Sequence, residues 1–91
     1  MRIAAKADKN QVEIVNALRA AGATVQHLHT VGRGCPDLLV GFRGVNYLME
    51  VKMPGKKLTL DERKWMIGWK GDIHVVSSIE YALAVIGAVN A

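Results

Sequence analysis

Cys35-Pro36-Asp37-Leu38-Leu39-Val40, followed by Met49-Glu50-Val51-Lys52, is the part of the sequence that decides the fold. Pro36 is acceptable as the first residue of a strand, because no ladder hydrogen bond is lost there. Residues 38–42 are apolar on both faces, which predicts a strand in the centre of a sheet. An aspartate therefore opens one buried strand, and a Glu-x-Lys closes the next.

The next strand is predicted over residues 45–52, and Gly44 marks the tight turn that joins it to the first. Side chains alternate between the two faces of a strand, so one face here is fully apolar and the other turns polar only at its C-terminal end. Glu50 and Lys52 lie on that second face. They must therefore point the same way.

A first helix is predicted over about residues 9–21, because Asp8-Lys9-Asn10-Gln11 has the form of a capping box and apolar residues then recur at helical spacing. Gly22 supplies its C-terminal stop. Glu13 lies just off the apolar stripe, where a first-turn acid is ordinarily a solvated group favoured by the helix dipole. Its residue pattern alone therefore favours a surface acid over a functional one.

Residues 23–31 alternate weakly and are predicted to form a half-exposed edge strand. His27 and His29 fall on one face of it, as two metal ligands would. No cysteine or third histidine accompanies them at a useful spacing, so the edge strand is the better interpretation.

Thr59-Leu60-Asp61-Glu62 is a second capping box and predicts a helix that ends at Gly71. The stripe of this helix is expected to pack on the sheet and carries Glu62, Trp65, Met66 and Trp69. Glu62 either heads that face or folds back as a cap, and both roles stay open. A strand at residues 73–76 and a helix capped near Ser77 follow, which gives the order α-β-β-β-α-β-α.

The chain of 91 residues is expected to form one domain, residues 1–91. Hydrophobic residues make up 51% of it, and this apolar excess agrees with a subunit interface. The longest apolar stretch, residues 81–89, is about half of what a bilayer requires, so no membrane span is expected. The single cysteine excludes an internal disulfide framework and a Cys-rich zinc site. A cytoplasmic protein is expected, in the host cell if the sequence is phage-encoded.

The charge of the chain favours a polyanionic partner, since twelve Lys and Arg face eight Asp and Glu for a net charge of +4. Several Lys and Arg residues lie close to the central motif and could bind phosphates. Nucleic-acid binding would then depend on salt concentration and little on base sequence. These cations could equally form a solvated basic face. The candidates for phosphate binding are Arg33, Lys56, Lys57, Arg63 and Lys64.

Asp37 and Glu50 need a compensating cation, because a desolvated charge costs several kcal/mol unless it is paired or ligates a metal. Lys52 alone could supply that charge in a structural triad. A divalent ion together with Lys52 would do so too, and hard oxygen ligands suit Mg²⁺ or Mn²⁺. The backbone carbonyl of Val51 could add a further ligand. Lys52 would then orient a water or stabilise charge that develops on the phosphate.

Three short runs resemble the PD-(D/E)xK nuclease superfamily: Gly34-x-Pro36-Asp37-Leu38-Leu39-Val40, Glu50-x-Lys52, and Pro54-Gly55-Lys56-x-Leu58-Thr59 before a helix. More narrowly, the sequence is similar to the virus-type replication-repair nuclease domain (VRR-NUC), in the small stand-alone form typical of phages. The similarity extends from the first helix to the strand ending at Val76.

This resemblance implies a restriction-endonuclease-like α/β core, with a mixed central sheet flanked by helices. It implies metal-dependent phosphodiester hydrolysis, with Asp37 and Glu50 as metal ligands and Lys52 as the catalytic lysine. An acid in the first helix commonly completes such sites, so Glu13 becomes an expected ligand and catalytic residue. The family usually has a glutamine where this sequence has Glu62, the last candidate catalytic residue. Stand-alone members are similar to Holliday junction resolvases, which act as homodimers on branched DNA, so the resemblance implies a homodimer and a branched DNA substrate.

Other classes fit only parts of the sequence. A double-stranded-RNA-binding domain shares the order α-β-β-β-α, but it has no use for converging carboxylates, and this chain continues into another strand and helix. A purely structural interaction protein explains neither the acids nor the cations. A non-catalytic nucleic-acid-binding module that keeps the fold stays open as the alternative. The sequence thus predicts a Mg²⁺- or Mn²⁺-dependent DNA endonuclease, homodimeric and selective for branched DNA.

Overall fold

The computed structural model describes residues 8–88, and its elements follow the predicted α/β order. The central strands and the last strand lie where the sequence placed them, to within one residue. The elements are α1 (Gln11–Ala20), β1 (Thr24–His27), β2 (Leu38–Phe42), β3 (Val45–Val51), α2 (Leu60–Gly68), β4 (Ile73–Val76) and α3 (Ile79–Val85).

The strands form one mixed sheet in the order β1-β2-β3-β4. The first three strands are antiparallel neighbours, and β4 pairs parallel to β3 after the crossover through α2. β2 is therefore central, as predicted, with β3 beside it, and β1 is the expected edge strand with exposed side chains. β1 ends at His27 rather than at residue 31, so His29 lies outside the strand. The parallel β4 also distinguishes this sheet from the three strands of the α-β-β-β-α alternative.

One face of the sheet forms the hydrophobic core. Leu38 pairs with Met49, and both side chains are fully buried on this face. α1 and α3 cover it, because the apolar stripe of α1 and the inward residues of α3 have nowhere else to bury. The buried apolar side chains of the core are Ile14, Val15, Leu18, Ala23, Leu38, Val40, Met49, Val51, Val76, Ala82 and Ile86.

The opposite face of the sheet lies under α2, which packs on it loosely. None of the residues of α2 is buried, and Trp69, just past its end, is 46% exposed. The helix ends at Gly68 rather than at Gly71, because Trp69 adopts an extended backbone. The stripe of α2 faces the sheet as predicted, since the half-buried residues of the helix are Glu62, Trp65 and Met66, but a cleft remains between them and the strands.

The start of α1 also differs from the prediction. Asn10 is the N-cap, but its side chain makes no capping bond; it donates instead to the carbonyl oxygens of Lys52 and Ser77, each at 3.1 Å. The Asp8 carboxylate accepts from the Met53 amide at 3.2 Å. The predicted capping box at residues 8–11 is thus wrong, because these side chains tie α1 to the end of β3. Within residues 8–88 no helix is both long and apolar enough to span a bilayer.

Candidate active site

Asp37 and Glu50 come together at the end of the two central strands. Leu38 pairs with Met49 across the antiparallel ladder, so the preceding Asp37 and the following Glu50 face each other. The Val51 amide donates to Asp37 Oδ2 at 2.8 Å, which fixes the aspartate against β3. Glu50 is only 2% exposed. The structure thus brings together the two carboxylates that the sequence predicted as neighbours.

The two carboxylates are costly to ionise together in this place. Burial, followed by the charge of Asp37, raises the pKa of Glu50 to about 9. Burial also raises the pKa of Asp37, although the hydrogen bond from the Val51 amide opposes this effect. With no added cation, the pair therefore keeps a proton at neutral pH.

Lys52 lies beside the pair and is 6% exposed. Its Nζ is 2.8 Å from Glu62 Oε1 and 3.8 Å from Glu50 Oε2. Burial lowers the pKa of Lys52, but the hydrogen bond and charge of Glu62, with a smaller contribution from Glu50, outweigh it and leave this pKa above its ordinary value. Lys52 is therefore held as an ammonium next to the carboxylates, on the face that strand alternation predicted.

Glu62 serves both of the roles that the sequence left open. Its Oε1 accepts from the Thr59 amide at 2.8 Å, and the Thr59 hydroxyl accepts from the Glu62 amide at 3.2 Å, which is a complete capping box. The same Oε1 contacts Lys52. Burial raises the pKa of Glu62, but the bonds from Lys52 and Thr59 hold it below its ordinary value. The first turn of α2 is thereby anchored on the catalytic lysine candidate.

Glu13 does not reach the site, which corrects the expectation drawn from the family resemblance. The buried face of α1 carries Gln11, Ile14, Val15 and Leu18. At about 100° per residue, Glu13 projects from the opposite side of the helix, where it is exposed to solvent. Within residues 8–88, no hydrogen bond or ion pair links Glu13 to Asp37, Glu50 or Lys52.

Other polar residues at this end of the sheet were missed by the sequence prediction. Gln11 is 2% exposed, and its Nε2 lies 3.5 Å from His27 Nδ1. The helical repeat could have identified Gln11. It precedes Ile14 by three positions and Val15 by four, so it must lie on the same buried stripe. Asp8 was assigned to a cap, although it accepts from Met53 and pairs with Lys56 at 3.3 Å.

The candidate phosphate-binding cations lie on the loops and the helix that adjoin this site. Arg33 is exposed in the loop between β1 and β2, in the left-handed region at φ 56°. Lys56 and Lys57 are exposed on the loop before α2, and Arg63 and Lys64 are exposed on α2 itself. The structure places all five at the surface.

The donor set at the site suits a hard divalent cation. Among residues 8–88 no group of three or more His, Cys, Asp or Glu side chains is arranged to hold a metal ion. The carboxylates of Asp37 and Glu50 remain, together with the backbone carbonyl of Val51 as a third candidate oxygen. Glu50 Oε1 is buried and has no hydrogen-bond partner within the described residues, as expected of an oxygen that needs a cation.

Comparison with known proteins agrees with this arrangement. A solved structure described as a VRR_NUC domain is 30% identical to this chain, with a TM-score of 0.63, over 84% of this chain and 88% of that one. The protein is therefore a nuclease-type domain, and the chain belongs to the VRR-NUC family. No family model matches the sequence, and no curated protein matches it.

Proposed function

We propose that this protein is a Mg²⁺- or Mn²⁺-dependent DNA endonuclease that hydrolyses phosphodiester bonds. The observation that carries the proposal is that the half-buried Asp37 carboxylate faces the buried Glu50 carboxylate, with the Lys52 ammonium 3.8 Å from Glu50. Placing a half-buried and a buried carboxylate face to face is unfavourable, and binding of a divalent cation offsets that cost. A purely structural role gives no reason for it.

Asp37, Glu50 and the Val51 carbonyl would hold the ion, and Glu13 is not part of this set. A divalent ion here would polarise a phosphoryl oxygen and lower the pKa of a bound water. Lys52 would orient that water, or stabilise the negative charge that develops on the phosphate. Glu62 would act as a positioning residue, because its carboxylate fixes the Lys52 ammonium at 2.8 Å. The exposed cations would hold the flanking phosphates.

We extend the proposal to branched DNA as substrate and to a homodimer as the active form. The family resemblance supports both, because stand-alone members are similar to Holliday junction resolvases, which act as homodimers that present two active sites to a branched DNA. Large apolar side chains at the surface support a subunit interface, and among them Val12 on α1 is 69% exposed. Light scattering of the purified protein would give its mass in solution.

Cleavage of a panel of DNA structures tests the proposal. We expect a Holliday junction, a flap or another branched DNA to be cut in Mn²⁺ or Mg²⁺ and left intact in EDTA. Glu50→Ala and Lys52→Ala should each abolish cutting, while DNA binding in EDTA largely survives. Asp61→Ala, which removes an exposed acid from the same turn as Glu62, is the matched control and should cut normally.

The outcomes separate the claims. If every DNA structure stays intact in both metals, the protein is a non-catalytic binding module. That alternative is favoured by one contact, since Lys52 already offsets part of the charge of Glu50 and Glu62 without a metal. If Glu50→Ala and Lys52→Ala cut as well as the wild type, the assignment of the site is wrong.

A further inference from the structure

A cleft of about 550 Å³ lies between α2 and the sheet, on the same face as the candidate active site. Leu39 and Leu48 line it, and each alternates with a core residue of its strand. By the same alternation, Asp37 and Glu50 share the face of Leu39 and Leu48. The cleft is therefore a continuation of the carboxylate site along the sheet.

Cys35 marks the place where the cleft meets the site. It lines the cleft and lies two residues before Asp37. A ligand in the cleft would thus lie next to the proposed reacting groups.

The other wall of the cleft is an aromatic pair. Trp65 and Trp69 stack with ring centroids 4.7 Å apart and an interplanar angle of 21°. Trp69 keeps 46% of its surface exposed, although burying an indole is strongly favourable. Gly71 permits this position, since a Cβ there would lie 2.9 Å from the Trp69 ring nitrogen.

The surroundings of the cleft have the charge and polarity of a nucleic-acid site. Arg63, Lys64 and Lys70 are exposed on α2 and just beyond its end, on the segment that carries both indoles. Asn46 and Asp72 line the cleft and offer hydrogen-bonding groups to the edge of a base. Aromatic faces combined with cations are how proteins hold unpaired bases without reading sequence.

We propose that this cleft binds an unpaired nucleobase of the DNA strand that enters the active site, stacked against Trp69. The inference rests on the proposed function, because it assumes that the substrate is DNA. It specifies what the protein would recognise in a branched structure, namely a nucleotide that has left the helical stack next to the phosphate to be cut. A fully paired duplex keeps its bases stacked and cannot fill the cleft.

Binding measured in EDTA tests the inference without any cleavage. Trp65 and Trp69 are the only two tryptophans of the chain, so intrinsic fluorescence reports on the cleft alone. We expect quenching by a single-stranded oligonucleotide and much less by a blunt duplex of equal length. Trp69→Ala should weaken single-strand affinity about ten-fold or more, measured by anisotropy of a labelled strand. Ile67→Ala, an exposed apolar residue of the same helix, should not change it.

Two glycine variants repeat the test without removing an aromatic ring. Gly71→Ala should displace the Trp69 indole and weaken single-strand binding, whereas Gly68→Ala, with nothing within 4 Å of its Cβ, should not. If Trp69→Ala and Gly71→Ala bind the single strand as tightly as the wild type, the inference is wrong. It is also wrong if Trp69→Ala lowers the mass of the DNA-free protein in light scattering, because the cleft is then a subunit interface.

Failure of the proposed function gives a different pattern. A protein that cuts no DNA in Mn²⁺ but loses single-strand affinity on Trp69→Ala contradicts the catalytic proposal and supports the base-binding cleft. A protein that cuts branched DNA and is indifferent to Trp69→Ala in both binding and cleavage contradicts the cleft alone.

Discussion

The buried carboxylate of Glu50 is only partly compensated by its neighbours. Its side chain stands at the end of a central strand, opposite Asp37, with one oxygen that has no partner within residues 8–88. Lys52 compensates for part of its charge from 3.8 Å, a distance longer than a good hydrogen bond. The site is therefore incomplete as a charge-balanced group, which is the physical reason to expect a ligand there.

The metal-free protein should lose stability as the pH rises from about 4.5 to about 9. The folded state raises the pKa of Glu50 from 4.5 to about 9, so in this interval the folded chain keeps a proton that the unfolded chain releases. Stability from this group is fully present below its unfolded pKa and is lost as the pH rises through the folded one. The measurement is urea unfolding in EDTA at about pH 5.5 and about pH 8.5.

Glu50→Gln should flatten this pH dependence and exceed the wild type in stability at the higher pH, since an amide has no proton to lose. Glu80→Gln, which alters an exposed acid on α3, should leave the dependence unchanged. Added Mn²⁺ should stabilise the wild type most at the higher pH, where the carboxylates are ready to bind it. If the free energy of unfolding depended on pH equally in the wild type and in Glu50→Gln, folding would not oppose the ionisation of Glu50.

The helix α2 is attached to the rest of the fold by its first turn rather than by a buried apolar face. Glu62 joins that turn to Lys52, and Gly34 packs against it from the loop between β1 and β2. The apolar stripe of α2 predicted which face turns toward the sheet, and the structure leaves a cleft between that face and the strands. Periodicity shows which residues share a face, but it does not show how closely that face approaches the sheet.

Gly34→Ala should detach the first turn of α2 and destabilise the fold by about 2 kcal/mol more than Gly32→Ala. Both glycines have positive φ angles, 85° and 80°, so both variants carry a similar backbone strain. Only at Gly34 would the new Cβ collide with the backbone of Asp61, whereas nothing lies within 4 Å of it at Gly32. The difference between the two variants in urea unfolding isolates this contact.

Loss of the contact should also release Lys52 from Glu62, so Gly34→Ala should cut DNA more slowly than Gly32→Ala. Equal stability and equal activity of the two variants would mean that the loop does not position α2. Gly32→Ala is the control for Gly34→Ala, because each substitution adds only a methyl group and neither adds a charge or a polar group.

For the whole molecule, the sequence predicted the order of elements, the two central strands and the carboxylates at their ends. Alternation and apolar runs determine these features, and both are local properties of the chain. Helical phase also decides that Gln11 and not Glu13 faces the sheet, although the family pattern favoured the acid. The contacts of Asp8 and Asn10 were not predictable, because they join residues more than 40 positions apart without any periodic pattern.

The exposed cations near the active site should make DNA binding depend on salt concentration. Each exposed Lys or Arg that neutralises a phosphate releases a counterion, so binding weakens steeply as salt rises. Lys57→Ala and Arg63→Ala should each reduce the slope of log affinity against log salt by about 0.7 for single strands or about 0.9 for duplex. They should also weaken binding to DNA of any sequence, because phosphate contacts carry no sequence information.

Arg43→Gln is the matched control, because it removes one positive charge from the turn at the far end of β2. Arg43 lies over the Phe42 ring at 4.8 Å, so its contacts are within the protein. Titrations of labelled DNA in EDTA at several salt concentrations give the slopes. If Arg43→Gln reduced the slope of log affinity against log salt as much as Lys57→Ala does, DNA would respond only to the net charge of +4 and not to the cations near the active site. An unchanged slope in Arg43→Gln, beside reduced slopes in Lys57→Ala and Arg63→Ala, would place the phosphate path along α2 and across the carboxylate pair.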